Sequence, residues 1–121
     1  VSLISRIDTI FVPALETEAS ARWYKDFFGM TEIYRSEGHI GLRIDGAGES
    51  GAALTLVPVE SMPHRDFIAF NFFSPDPEAL HAALVQDGRS VTALNRNGAM
   101  IWFDFTDVAG NRVNVCHFSE S

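Results

Sequence analysis

The groups on this chain that could do chemistry are few and dispersed. Histidines stand at His39, His64, His81 and His117, and Cys116 is the single cysteine. No two histidines have a metal-ligand spacing, so no motif supports a shared metal, although His39 and His117 sit in apolar runs that could bring them together. His64 and His81 read as surface residues. A single cysteine excludes an intramolecular disulfide and a cysteine metal cluster. Cys116 reads as a buried, inert thiol, because a reactive one needs a basic neighbour that cannot be assigned to it. No Ser-His-Asp order, glycine-rich phosphate loop or CxxC is present.

Other side chains stand out by breaking an apolar pattern. Asp104 interrupts an apolar run and alternates with Trp102. Such an acid either lies on the solvated face, the commoner case, or is a paired group in a groove. In the second case Asp104 and Trp102 would seat a cation through charge and ring quadrupole. Asn71 is the one polar residue of FIAFNFF, and as a buried amide it needs a partner: Thr9, Asn114 or a ligand. Asn114 alternates with Cys116 and so faces the same way. Arg43 alternates with His39 and Gly41 and reaches the same kind of face from another strand.

The elements that position these groups follow from periodicity. Residues 7–12 are β-branched and aromatic, a strand that Pro13 should end. Thr17 is placed to cap a helix, with Glu18 in its first turn. Ala19, Trp23, Phe27 and Met30, widened by Tyr24 and Phe28, form its apolar stripe, and Gly29 closes it. Strands follow at 31–36, 39–44 and 52–57, the first two joined by Glu37-Gly38. Residues 59–65 have no periodicity and form a linker. The pattern then restarts. A strand at 67–73 leads to Asp76-Pro77, a capping carboxylate before a proline at the first helical position. Leu80, Ala83 and Leu84 line that helix and Gly88 ends it. Strands at 90–94, 99–105 and 113–118 complete the half, with Asn97-Gly98 as hairpin turn.

The order is βαβββ, linker, βαβββ. Thr9 aligns with Phe67 at 58 residues, Gly29 with Gly88 at 59 and Gly38 with Gly98 at 60, which marks a duplicated unit. One helix covers one face of such a sheet; the other face must meet its sister module or another chain. Two curved sheets side by side would leave a groove suited to a small ligand.

The opening run, IDTIFVPAL with ARWYKDFFGM, and the closing FTDVAGNRV resemble the ends of the vicinal-oxygen-chelate superfamily, which includes glyoxalase I, extradiol dioxygenases, fosfomycin-resistance transferases and bleomycin-resistance proteins. The resemblance spans essentially the whole chain. It implies an α+β fold in one domain: module one at 1–58, linker 59–65, and module two at 66–121. The two modules are expected to form an open, barrel-like mixed sheet around a cleft, in a homodimer. It also implies a divalent metal held by His, His and Glu, at positions that here carry Thr9, Phe67 and Asn114. A phenyl ring has no lone pair, and a hydroxyl and an amide are weak replacements. A one-residue slip would bring in Asp8 and Asp66 but turn the strands over. The usual chelate is therefore not expected, and no catalytic residue or cofactor is assigned.

A chain of 121 residues with 46% hydrophobic residues is long enough to bury its own core. No apolar run reaches the ~20 residues a membrane helix needs, and no signal peptide is visible from Val1 onward. A net charge of −7, with eight of the nine basic residues arginine, argues against nucleic acid and permits a cationic ligand. A cytoplasmic location is expected from the cysteine usage. The reading that results is a metal-free binder of a small aromatic or cationic molecule, of the bleomycin-resistance kind, with Thr9, Asn71, Trp102, Asp104 and Asn114 as its contacts. The alternative is a lyase or dioxygenase with Zn, Mn, Ni or Fe in a non-standard site. A third possibility is an interaction domain whose groove is filled by its own dimer partner.

Overall fold

Each half of the chain folds as the duplicated pattern requires. The computed structural model describes residues 2–46, 48, 51–64 and 67–119. It divides into two compact units, Val1–Pro63 and His64–Ser121. The first contains β1 (Thr9–Ala14), α1 (Thr17–Phe28), β2 (Met30–Ser36), β3 (His39–Ile44) and β4 (Ala53–Pro58). The second contains β5 (Phe70–Phe73), α2 (Pro77–Gln86), β6 (Asn95–Asn97), β7 (Met100–Thr106) and β8 (Arg112–His117). The sheets run β1-β4-β3-β2 and β5-β8-β7-β6. In each, the first-listed pair is parallel and the rest antiparallel, so both sheets are mixed and open. The fold class is α+β. Among the described residues no helix is long and apolar enough to cross a membrane.

Strand alternation sends one set of side chains under each helix. In the first unit Val12, Ile40, Leu42, Leu54 and Leu56 are buried with Ala21 and Tyr24 of α1. In the second, Phe103, Phe105, Val113 and Val115 are buried with Leu84 of α2. Each large side chain removed from water in this way contributes about 1.5–3 kcal/mol.

Several local expectations are corrected. Pro13 does not end β1, which runs on to Ala14. As an edge strand of its sheet, β1 tolerates the missing donor. Thr17 is the first residue of α1 rather than its cap; Glu16 takes the cap position without a side-chain bond. Thr17 Oγ1 instead donates to the Gly38 carbonyl at 2.7 Å, tying the helix to the β2–β3 turn. The buried face of α1 is Thr17, Ser20, Ala21 and Tyr24. Ala19 is exposed, and Trp23 and Phe27 are half-buried and stacked on each other at 5.3 Å. Met30 is buried, but as the first residue of β2. On α2 only Leu84 of the expected stripe is fully buried, and Ala83 is exposed.

In the second unit β5 begins at Phe70, not Phe67. The helices start at Thr17 and Pro77 and the core pairs Ile10–Leu54 and Phe70–Val113 correspond. Thr9 is thus equivalent to Ala69, two residues beyond Phe67. Arg65, the expected end of the linker, and Asp66 lie outside the described residues. The 90–94 strand is replaced by a bridge at Val91–Phe105, followed by β6. Three residues there face two on β7, which is a bulge. The first unit has its counterpart at Ile33, where the register shifts between Glu32 and Tyr34. Each bulge lies three rungs from its hairpin turn. The second hairpin turns at Gly98-Ala99 rather than Asn97-Gly98, because β6 retains Asn97. Gly98 takes the left-handed first position (φ 63°), as a type II′ turn requires.

The two helix starts differ in a testable way. Asp76 accepts the Ala79 N–H at 3.1 Å, whereas Glu16 caps nothing. Asp76→Ala is expected to cost about 1 kcal/mol in urea unfolding and Asp76→Asn much less. Glu16→Ala is expected to leave the midpoint unchanged.

Candidate functional site

The face of the second sheet turned away from α2 is where the sequence-selected residues meet. Register places Asn71 beside Asn114 and Asn114 beside Asp104, so β5, β8 and β7 contribute one polar row. The next row is Phe73, Cys116, Trp102 and Asn95. Four of the five expected contacts, Asn71, Trp102, Asp104 and Asn114, thus share one surface. Thr9 belongs to the first unit, where its Oγ1 donates to the Ala53 carbonyl at 3.1 Å and lies 2.7 Å from Thr55 Oγ1.

Asp104 is a paired group. Arg112 donates to its Oδ2 through Nε at 2.9 Å and Nη2 at 2.6 Å, and Asn114 Nδ2 donates to Oδ1 at 2.9 Å. The aspartate side chain is 13% exposed and the arginine 54%. The proposed seat for a cation is therefore occupied by the protein's own guanidinium. Arg112 is the residue of this candidate site that sequence reasoning missed. It alternates with Asn114, which marks its face, but nothing local reveals that β7 brings Asp104 beside it.

Asn71 is exposed rather than buried. Its amide does not bond Asn114; Nδ2 donates to Cys116 Sγ at 3.5 Å. The Asn71 and Asn114 carbonyl oxygens have no hydrogen-bond partner among the described residues. Trp102 is half-buried and makes no ring contact there. Cys116 is buried, as expected. The surface thus offers an indole face and two amide acceptors around a neutralised ion pair. An open depression of about 210 Å³ lies where Asp104, Thr106 and Arg112 meet the 90–92 segment.

That segment is locked from both sides. Thr92 N–H donates to the Asp104 carbonyl, and Asp104 N–H donates to Thr92 Oγ1, both at 2.9 Å. The Thr92 carbonyl, turned outward by the bulge, accepts from His81 Nε2 at 2.9 Å. His81 also packs edge-on against Phe103 at 4.9 Å. It is a structural tie between α2 and the sheet, not a plain surface residue. His117 is likewise engaged, through Nδ1 to the Ser74 carbonyl at 2.8 Å and by stacking on Phe73. His39 Nδ1 lies 3.4 Å from the Glu37 carbonyl.

The three positions where metal ligands are expected do not fit a divalent ion. The Thr9 hydroxyl is bonded within its own sheet. Phe67 lies outside β5, and Ala69, the structural counterpart of Thr9, has no side-chain donor either. Asn114 offers only a neutral amide oxygen, a weak replacement for a carboxylate. Among the described residues no three His, Cys, Asp or Glu side chains gather as a ligand set.

A family model described as the Glyoxalase/Bleomycin resistance protein/Dioxygenase superfamily matches residues 6–115. No curated protein sequence matches the chain. Among solved structures the chain is similar to TnmS3, an antibiotic binding protein from Streptomyces sp. CB03234, with TM-score 0.81 and 21% identity over 98% of this chain and 100% of that one. It is also similar to the genomically encoded fosfomycin resistance protein FosX from Listeria monocytogenes, with TM-score 0.80 and 14% identity over 98% and 97%. A third is the lactoylglutathione lyase from Agrobacterium tumefaciens, with TM-score 0.72 and 18% identity over 96% of each chain. At these identities the likeness is one of fold.

The Asp104–Arg112 pair is open to a double-mutant cycle. Asp104→Asn and Arg112→Gln are expected to couple by about 1 kcal/mol in urea unfolding. The coupling should shrink in high salt, because the arginine end is exposed.

Proposed function

Because the chain belongs to the glyoxalase/bleomycin resistance protein/dioxygenase superfamily, we propose that it binds and sequesters a small aromatic molecule without a metal and without transforming it. The observation that carries this reading is the donor set. Where relatives offer imidazole and carboxylate, this chain has a bonded hydroxyl, a phenyl or methyl group, and an amide tied to Asp104. Such groups hold organic ligands by apolar contact and hydrogen bonds.

On the open face of the second sheet, Trp102 supplies the stacking surface. The Asn71 and Asn114 carbonyls accept from ligand N–H or O–H groups. Asp104 acts through Asn114, fixing its amide so that the oxygen stays available. Arg112 answers the Asp104 charge, which favours a neutral, hydrogen-bonding aromatic over a cation. The antibiotic-binding and fosfomycin-resistance neighbours support a protective, resistance-type role. We further infer a homodimer, since large apolar side chains such as Phe67 and Phe73 are exposed in the single chain. The single buried cysteine suits a reducing cytoplasm.

A thermal-shift panel of aromatic antibiotics and of Zn²⁺, Mn²⁺, Ni²⁺ and Fe²⁺ tests the reading, since a bound ligand raises apparent stability by mass action. At least one aromatic compound is expected to raise Tm, be recovered unaltered at one per chain, and bind ten-fold or more weakly to Trp102→Ala or Asn114→Ala. Stoichiometric metal in untagged protein, or turnover of the bound compound, would instead establish the lyase or dioxygenase alternative.

A further inference from the structure

The helix-free face of the second sheet continues past its polar row. Alternation along β7 puts Thr106 on the face of Trp102 and Asp104, and register sets Arg112 beside it. On the other side of β7 the Ser90 carbonyl accepts from the Thr106 N–H at 3.0 Å. Ser90, Thr106 and Arg112, with Thr92 and Asp104, thus line the open depression of about 210 Å³. That is less than the about 300–1,000 Å³ of sites for drug-sized ligands, so it suits one small ring. Val91, half-buried, adds an apolar edge.

The groups that line it are accessible and already held in place. Ser90 and Thr92 are exposed, Thr106 is half-buried, and the Arg112 side chain is 54% exposed. The Ser90 and Thr106 hydroxyls bond no other group among the described residues, so each is able to donate and to accept. A guanidinium carries five N–H groups. Asp104 takes one from Nε and one from Nη2 of Arg112, and the others have no protein partner among the described residues. A surface arginine ordinarily loses rotamer freedom when it binds. Here Asp104, itself bonded to Asn114, has already restrained it. The 90–92 backbone is likewise locked to β7 at Ser90 and Thr92.

Charge narrows the ligand. Asp104 answers Arg112 within the depression. The neighbouring charges are spent elsewhere, Arg89 on Asp87 and Asp107 on the Ala109 and Asn111 N–H groups. A chain of net charge −7 offers an anion no long-range attraction, and the exposed guanidinium repels a cation. What matches is a neutral molecule that donates and accepts hydrogen bonds at several points of one ring.

We propose that this depression binds a single neutral sugar ring. Its hydroxyls accept from the Arg112 guanidinium and exchange hydrogen bonds with Ser90 and Thr106, while a C–H edge rests on Val91. The site adjoins Trp102 but does not rest on the aromatic ligand assigned there.

The probes are methyl glucopyranoside and its galacto and manno epimers, with cyclohexanol as a ring lacking the hydroxyl array and inorganic phosphate as an anion. In ¹H–¹⁵N spectra of the full chain, at least one glycoside is expected to shift the Val91 and Thr106 amides and the Arg112 Nε–H saturably. It should bind at least three-fold more tightly than its weakest epimer. Ser90→Ala and Thr106→Val, which leave the Asp104–Arg112 pair intact, should each weaken it at least three-fold. Arg112→Lys, which keeps the charge and loses the fork, should weaken it further. The para-nitrophenyl form of the same sugar distinguishes its source. Tighter binding that Trp102→Ala cancels supports a sugar borne on an aromatic molecule, and equal binding supports a free sugar. Absence of saturable shifts with all three glycosides would overturn the proposal. So would equal shifts from cyclohexanol, phosphate binding more tightly than any glycoside, or unchanged sugar binding when Ser90→Ala and Thr106→Val are combined.

Discussion

A four-stranded sheet has two faces, and each half of this chain supplies a single helix to cover them. Alternation does the rest. In the first unit Ile40, Leu42, Leu54 and Leu56 go under α1; in the second Phe103, Phe105, Val113 and Val115 go under α2. The residues between them point to the other face. There the chain places Thr9, Thr55, Arg43 and Tyr34 on one sheet and Asn71, Asn114, Asp104 and Trp102 on the other. Apolar side chains stay at the alternate positions because a one-residue slip would expose the core. That same requirement holds the polar groups in their rows.

The second sheet shows what such a row does with charge. A carboxylate that is itself mostly buried needs a partner, and Asp104 finds two within its own sheet. The consequence for function is direct. A charge already matched by Arg112 does little to attract a cation, yet it orients the Asn114 amide. The first sheet differs, since the Arg43 Nε is buried and has no hydrogen-bond partner among the described residues. Two copies of one supersecondary unit have thus diverged into faces of different chemistry while keeping the same bulge, three rungs from each hairpin turn.

Much of the fold was legible because its signals are local. Period-two runs, Asp76-Pro77, Gly29 and Gly38 mark element type and ends without reference to distant residues. Other features failed for identifiable reasons. The stripe through Ala19, Trp23 and Phe27 was drawn through the large aromatics, but α1 carries aromatics on two sides, and the tightly packed face holds Ser20, Ala21 and Tyr24. Small residues let the helix approach the sheet, and hydrophobicity alone does not register that. The 90–94 strand was displaced by a bulge, in which Thr92 Oγ1 takes the place of a backbone acceptor. The alignment of Thr9 with Phe67 slipped by two, which preserves the face and so left no mismatch in the pattern.

The sequence by itself determined that there are two βαβββ units and which residues of each strand share a face. These are properties of spacing and residue type, carried by neighbours in the chain. Only the tertiary structure decided that Arg112 closes on Asp104, that Asn71 meets Cys116 and that Tyr34 covers Gly41. Each of those depends on how far one strand slides along another before its hydrogen bonds lock. That distance is set between residues remote in sequence, by the fit of two buried faces, and no local pattern encodes it.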